Sequence, residues 1–111
     1  MTAISFQLQH LNLPARDPQG LARWYANTFG LQADDNKARG PGVLIAFQRG
    51  EPINRAPDLH VGFLVPSLAE LKQWADRLGG TVKQGPEFTA FQVRDPEGNC
   101  VEIYCKTESR P

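Results

Sequence analysis

Residues Gln9-His10-Leu11-Asn12-Leu13 alternate between polar and apolar with the period of two that an extended strand requires. Leu11 and Leu13 therefore share one face, and His10 and Asn12 point to the other. The period then changes. Asp17 is a helix-capping residue, Pro18 suits the first helical position, Leu21, Trp24, Tyr25 and Thr28 follow at helical spacing, and Gly30 ends the segment. The same grammar returns in the second half. Leu59 to Val65 places Val61, Phe63 and Val65 opposite His60 and Gly62, so His60 has the same orientation as His10. Ser67 and Glu70 make a capping box, Leu68, Leu71, Trp74, Ala75 and Leu78 form an apolar stripe, and Gly79-Gly80 terminates it.

Strands follow each helix, because Val43 to Gln48, Thr89 to Arg94 and Cys100 to Cys105 are short, rich in β-formers and bounded by Gly, Pro or Asp-Pro. Asp95-Pro96-Glu97-Gly98-Asn99 reads as the turn of an antiparallel hairpin joining the last two. The stretch from Gly50 to Pro57 reads as a linker, and Lys106 to Pro111 as a polar, frayed tail. His10/His60, Leu21/Leu71, Trp24/Trp74 and Gly30/Gly80 all match at an offset of 50 residues, so the halves are copies. The fold class expected is α+β, with module one over about 5–50 and module two over about 58–106 inside a single domain, 1–111. Measured from its histidine, the first copy reaches its last strand about six residues sooner, which predicts a truncated strand there.

A chain of 111 residues supports one real core, while each half alone would be marginal, so the halves are expected to share a core within a chain or across a homodimer. Twelve basic and twelve acidic side chains cancel and are mixed along the sequence, leaving no basic stripe for nucleic acid or for a membrane surface. No charged leader, and no apolar run long enough to span a bilayer, is evident, so a cytoplasmic protein is expected. Cys100 and Cys105 lie an odd number of residues apart on one strand, on opposite faces, and are expected to be reduced thiols.

The repeat carries both histidines of the chain to equivalent positions, which makes His10 and His60 candidates for one metal site. On the last strand Val101 and Ile103 face the helices, so Glu102, with Cys100 and Tyr104, shares the histidine face. Two imidazoles and a carboxylate hold a divalent ion (Fe, Mn, Zn or Ni) and leave positions open for substrate. Against this stands the bland alternative, in which each histidine is a hydrogen-bonded strand residue. Glu102 and Tyr104 are the candidate catalytic groups. Gln92 shares their face, while Cys100 is either a soft fourth ligand or a small buried residue. Trp24 and Trp74 read as core anchors, Asp95 and Asn99 as turn residues, and Arg39, Arg49 and Lys83 as solvated charges.

These residues make the chain resemble the vicinal oxygen chelate superfamily of glyoxalase I, extradiol dioxygenases, fosfomycin-resistance thiol transferases and bleomycin-resistance proteins. The resemblance runs from Gln7 to Lys106. It rests on the strand histidine followed by the Asp-Pro-led helix ending Phe29-Gly30-Leu31, on His60, and on Asp95-Pro96-Glu97-Gly98-Asn99 before Val101-Glu102-Ile103. It implies two βαβββ modules whose mostly antiparallel sheets curve into a cup with helices outside, and metal ligands at His10, His60 and Glu102. Glyoxalase I has a further carboxylate on the last strand of its first module, where strand parity here puts Ala46. Familiar extradiol dioxygenases use a histidine beyond their ligands, and this chain has no third one. Three functions remain open: a metal-dependent isomerase, lyase, transferase or dioxygenase acting on a small substrate that chelates through adjacent oxygens; a metal-free drug-binding dimer like the bleomycin-resistance proteins; and a regulatory or structural dimer.

Overall fold

The computed structural model describes residues 5–53 and 58–108, in two compact units divided between Ile53 and Asn54. The division falls inside the expected linker, of which 54–57 lie outside the described residues, as do 109–111 of the expected tail. Each unit is a βαβββ module.

The first unit runs β1 (Leu11–Ala15), α1 (Pro18–Phe29), β2 (Gln32–Asp34), β3 (Lys37–Gly40) and β4 (Val43–Arg49), with sheet order β1-β4-β3-β2. β1 and β4 are parallel, and the other two pairings are antiparallel. α1 starts where Asp17 offers its carboxylate to the Gly20 N–H at 3.0 Å. It stops at Gly30, whose left-handed φ of 70° lets its N–H reach the Ala26 carbonyl. The helix lays Leu21, Ala22, Tyr25 and Ala26 on Leu13, Ala15, Ile45 and Phe47 of the sheet, all buried. Tyr25 and Phe47, fully buried, stack at 5.5 Å between centroids. Burial of each ring contributes about 2–3 kcal/mol.

The second unit repeats the order: β5 (His60–Leu64), α2 (Leu68–Leu78), β6 (Lys83–Gln84), β7 (Phe88–Arg94) and β8 (Cys100–Lys106), in sheet order β5-β8-β7-β6. Ser67 accepts from the Glu70 N–H at 3.2 Å, and Gly79 closes α2 with a φ of 74°. Leu71, Ala75, Phe91, Val101, Ile103 and Cys105 form the core beneath the helix. Gly80 sits so close to the Phe91 ring that a Cβ there would overlap it. The β7–β8 hairpin turns on Asp95, only 4% exposed, whose carboxylate accepts from the N–H groups of Glu97 and Asn99 and from the Asn99 side-chain amide, each at 2.9 Å. Asp95 and Asn99 thus serve the turn as expected.

Two expectations are corrected. The first strand begins at Leu11, where its ladder with Ile45 begins, so Gln9 and His10 precede it. Trp24 and Trp74 are half-buried, not core anchors. Tyr25 and Leu71 occupy the centres of the two stripes, and the indoles lie at the margins, Trp24 edge-on to Tyr25 at 4.9 Å and Trp74 under the Arg77 guanidinium at 4.8 Å. The first unit keeps all four strands, and its truncated strand is β3, four residues against the seven of the counterpart β7. The six-residue difference comes from its shorter β3 and from the two residues joining β3 to β4, where five join β7 to β8. The shortest strand, β6, lies in the second unit and has two residues. No helix among the described residues is long and apolar enough to cross a membrane.

Candidate functional site

The parallel pairing of β5 with β8 matches His60 with Cys100, Gly62 with Glu102 and Leu64 with Tyr104, and antiparallel β7 adds Gln92 opposite Glu102 and Ala90 opposite Tyr104. Directly paired residues point to the same side of a sheet. Because Val101, Ile103 and Cys105 are buried under α2, the alternate residues His60, Glu102 and Tyr104 emerge on the opposite face. That is the orientation the sequence predicted.

On this face the His60 Nε2 and a Glu102 carboxylate oxygen are 3.7 Å apart, both side chains partly shielded. The other Glu102 oxygen accepts a hydrogen bond from the Gln92 amide at 3.2 Å. Gln92 therefore fixes one end of the carboxylate and leaves the other directed at the imidazole. Two donors, each about 2.1 Å from a shared ion at tetrahedral or octahedral angles, stand about 3.0–3.5 Å apart. The 3.7 Å separation of His60 and Glu102 exceeds that range by about 0.2–0.7 Å, so a small closing of the pair would bring both to a common ion. Tyr104 lies one position further along the face, its ring edge-on to Phe88 at 5.5 Å and beside Gly62, where a Cβ would stand in ordinary contact with it. Cys100 is buried directly beside His60 in the ladder. Burial pushes its thiol pKa up, the Arg94 charge opposes this and the Glu102 charge adds to it. Both cysteines are free thiols and both are buried, so Cys100 takes the bland role foreseen for it.

His10 lies in the first unit, exposed and ahead of β1, with its Nδ1 2.8 Å from the Gln9 side-chain oxygen. Among the described residues, neither unit by itself gathers three His, Cys, Asp or Glu side chains as a metal centre would. The pairing of Asn12 with Ala46 reproduces that of Gly62 with Glu102, so the parity reading of Ala46 stands in the register. The same face of the first unit holds a polar pair that the sequence reading passed over, Asn12 donating to the Gln48 side-chain oxygen at 2.8 Å. Strand parity applied to Asn12 and Gln48 together would have found it. Arg39 pairs with Asp34 at 3.3 Å, and Arg49 donates to the Arg16 carbonyl at 2.9 Å.

A family model described as "glyoxalase-like domain" matches residues 10–104. No curated protein sequence matches the chain. Among solved structures, the chain is similar to a possible glyoxalase from Bacillus cereus, at 24% identity over 91% of this chain and 100% of that one, with a TM-score of 0.72. It is similar to lactoylglutathione lyase from Agrobacterium tumefaciens, at 18% identity over 92% and 95% of the two chains and a TM-score of 0.69. A glyoxalase/bleomycin resistance protein/dioxygenase from Nocardioides matches at 18% identity over 98% and 89%, with a TM-score of 0.69. At such identities the likenesses speak for the fold.

Proposed function

Because the chain belongs to the glyoxalase-like domain family of the vicinal oxygen chelate superfamily, we propose that it is a metal-dependent enzyme in which His10, His60 and Glu102 hold a divalent ion for a small substrate with adjacent oxygens. The observation carrying this reading is the His60–Glu102 pair at 3.7 Å on one sheet face, with Gln92 bracing the carboxylate. An imidazole and a carboxylate suit Fe, Mn, Zn or Ni alike. When bound, such an ion supplies Lewis-acid stabilisation of charge developing on a substrate oxygen.

The side chains divide the remaining work. Glu102 offers one oxygen toward His60 while Gln92 occupies the other, which restrains rotation of the carboxylate. Tyr104 presents a phenol on the same face, placed to donate a hydrogen bond to a bound oxygen. With Ala46 at the register place of a further carboxylate, Glu102 is left as the acidic group able to carry a proton. A homodimer in the cytoplasm belongs to the same proposal, since in each sheet the outermost strands have an open edge within their own unit.

Elemental analysis of protein purified without added ions, beside His60→Ala and Glu102→Ala, tests the reading. About one divalent ion per chain in the wild type and loss of most of it in both variants is expected. Metal retained in full by both variants, or absent from wild type even after dialysis against each candidate ion, would refute it and favour the metal-free binding module.

A further inference from the structure

Although the chain as a whole carries no net charge, the face bearing Glu102 in the second unit is strongly biased. β6 pairs Lys83 with Ala90, and β7 pairs Phe88 with Lys106 and Arg94 with Cys100, so all three cations share the side of the sheet on which Glu102 is the ladder's one carboxylate. Arg94 is held by the Gly98 carbonyl at 2.9 Å. Lys83 is exposed and makes no ion pair among the described residues.

Lys83 also lines an open cleft of about 520 Å³ together with Gly79, Gly80, Ala90, Gln92 and Glu102. Two features of the chain create it. β6 begins only at Lys83, leaving the β7 edge beyond Ala90 uncovered, and Ala90 contributes a single methyl between the lysine and the glutamate. Lys83 and Glu102 stand two strands across and one same-face step along, about 12 Å between Cα atoms by ordinary sheet spacings. Glu102 is held between His60 and Gln92, so a Lys83 side chain extended across Ala90 leaves room for a ligand of about four to six heavy atoms between ammonium and carboxylate.

We propose that this cleft selects substrates with an anionic tail: the adjacent oxygens lie at the His60–Glu102 end, and a carboxylate or other small oxyanion is taken by Lys83, with the Gln92 amide between them. The inference rests on the metal-site reading above and adds the substrate class. Charge on the ligand is the natural selector, because among the described residues lining this open cleft Lys83 is the one cation and the apolar side chains are only the Phe91 ring and the Ala90 methyl.

The test uses two hydroxamates that chelate through adjacent oxygens, acetohydroxamate with a neutral methyl tail and the monohydroxamate of succinic acid with a carboxylate tail. Both are titrated calorimetrically into zinc-loaded wild type, Lys83→Gln and Lys83→Arg, after metal uptake by each has been matched. The wild type is expected to prefer the carboxylate tail by about 5- to 10-fold, as befits one partly solvated charge-assisted contact. Lys83→Gln is expected to abolish that preference and Lys83→Arg to restore most of it. Equal binding of both hydroxamates by wild type, or a preference that survives in Lys83→Gln, overturns the proposal while leaving the metal site standing. Binding of neither overturns the metal-site reading and this inference with it.

Discussion

Replacing Asp95 isolates the contribution of one buried carboxylate to the geometry of the site. Its three accepted hydrogen bonds hold the turn between β7 and β8, and that hairpin sets the register that puts Gln92 opposite Glu102. A hydrogen bond to a charged acceptor contributes about 1.5–3 kcal/mol net, and bonds sharing one acceptor group are not additive. The two bonds to Asn99 are buried and the one to Glu97 is partly buried, so about 3 kcal/mol is expected to be lost in Asp95→Ala. Asp95→Asn keeps one oxygen for the two backbone donors, and the Asn99 amide can turn its oxygen toward the new amide, so about 1 kcal/mol is expected there. Urea unfolding followed by Trp74 fluorescence in a Trp24→Phe background reports on the second unit. At an m-value of about 1.5 kcal/mol/M the midpoint falls by about 2 M for Asp95→Ala and by under 1 M for Asp95→Asn. Equal shifts for the two variants, or a loss below about 1 kcal/mol in Asp95→Ala, would show that the carboxylate does not hold the hairpin.

Three further outcomes are expected. Gln92→Ala weakens divalent-metal affinity, measured by competition with a chromophoric chelator, by about 10-fold or more while leaving the unfolding midpoint nearly unchanged, because it frees the Glu102 carboxylate to rotate; unchanged affinity would remove Gln92 from the site. Gly80→Ala destabilises the second unit by about 2 kcal/mol or more in thermal unfolding, because its methyl runs into Phe91, and an additional Phe91→Leu recovers part of the loss; a neutral Gly80→Ala would place the glycine away from the ring. Burial raises the thiol pKa of both Cys100 and Cys105. The folded chain therefore holds those protons when the unfolded chain, with thiols near about 8.5, has released them, so stability is full below that pH and falls as pH rises beyond it. Urea titrations from pH 7 to 10 on wild type and Cys100→Ala/Cys105→Ala check this, and an equal slope in the two would exclude the thiols as its source.

Where side chains alternate against a core, sequence and structure agree. Asp17-Pro18 and Ser67 start helices and Gly30 and Gly79 end them, because capping chemistry is local and few residues satisfy it. β2 and β6 left no comparable trace. All three residues of β2 are exposed, as are both of β6, so their strand character comes from the neighbours they pair with rather than from their own pattern. Chain length pointed to the truncation without locating it, since a count of residues does not distinguish a short strand from a short connection, and here β3 and the link after it are both shorter than β7 and its link. Parity placed His60, Glu102, Gln92 and Tyr104 on one face, because the period of a strand is rigid once one buried residue fixes its phase. Parity carries no information on charge at a distance. The gathering of Lys83, Arg94 and Lys106 around Glu102 depends on which strands become neighbours, and that is settled by the ladder.

The register around Ala46 also governs what a carboxylate placed there would meet. Opposite Ala46 in the ladder stands Lys37, where the other copy sets Gln92 against Glu102. A glutamate appearing at position 46 would meet an ammonium across the strands and be captured as a cross-strand ion pair instead of turning outward. Adding a carboxylate to this face therefore calls for a coupled change, Ala46→Glu with Lys37→Gln, because Ala46→Glu alone gives a cross-strand salt link.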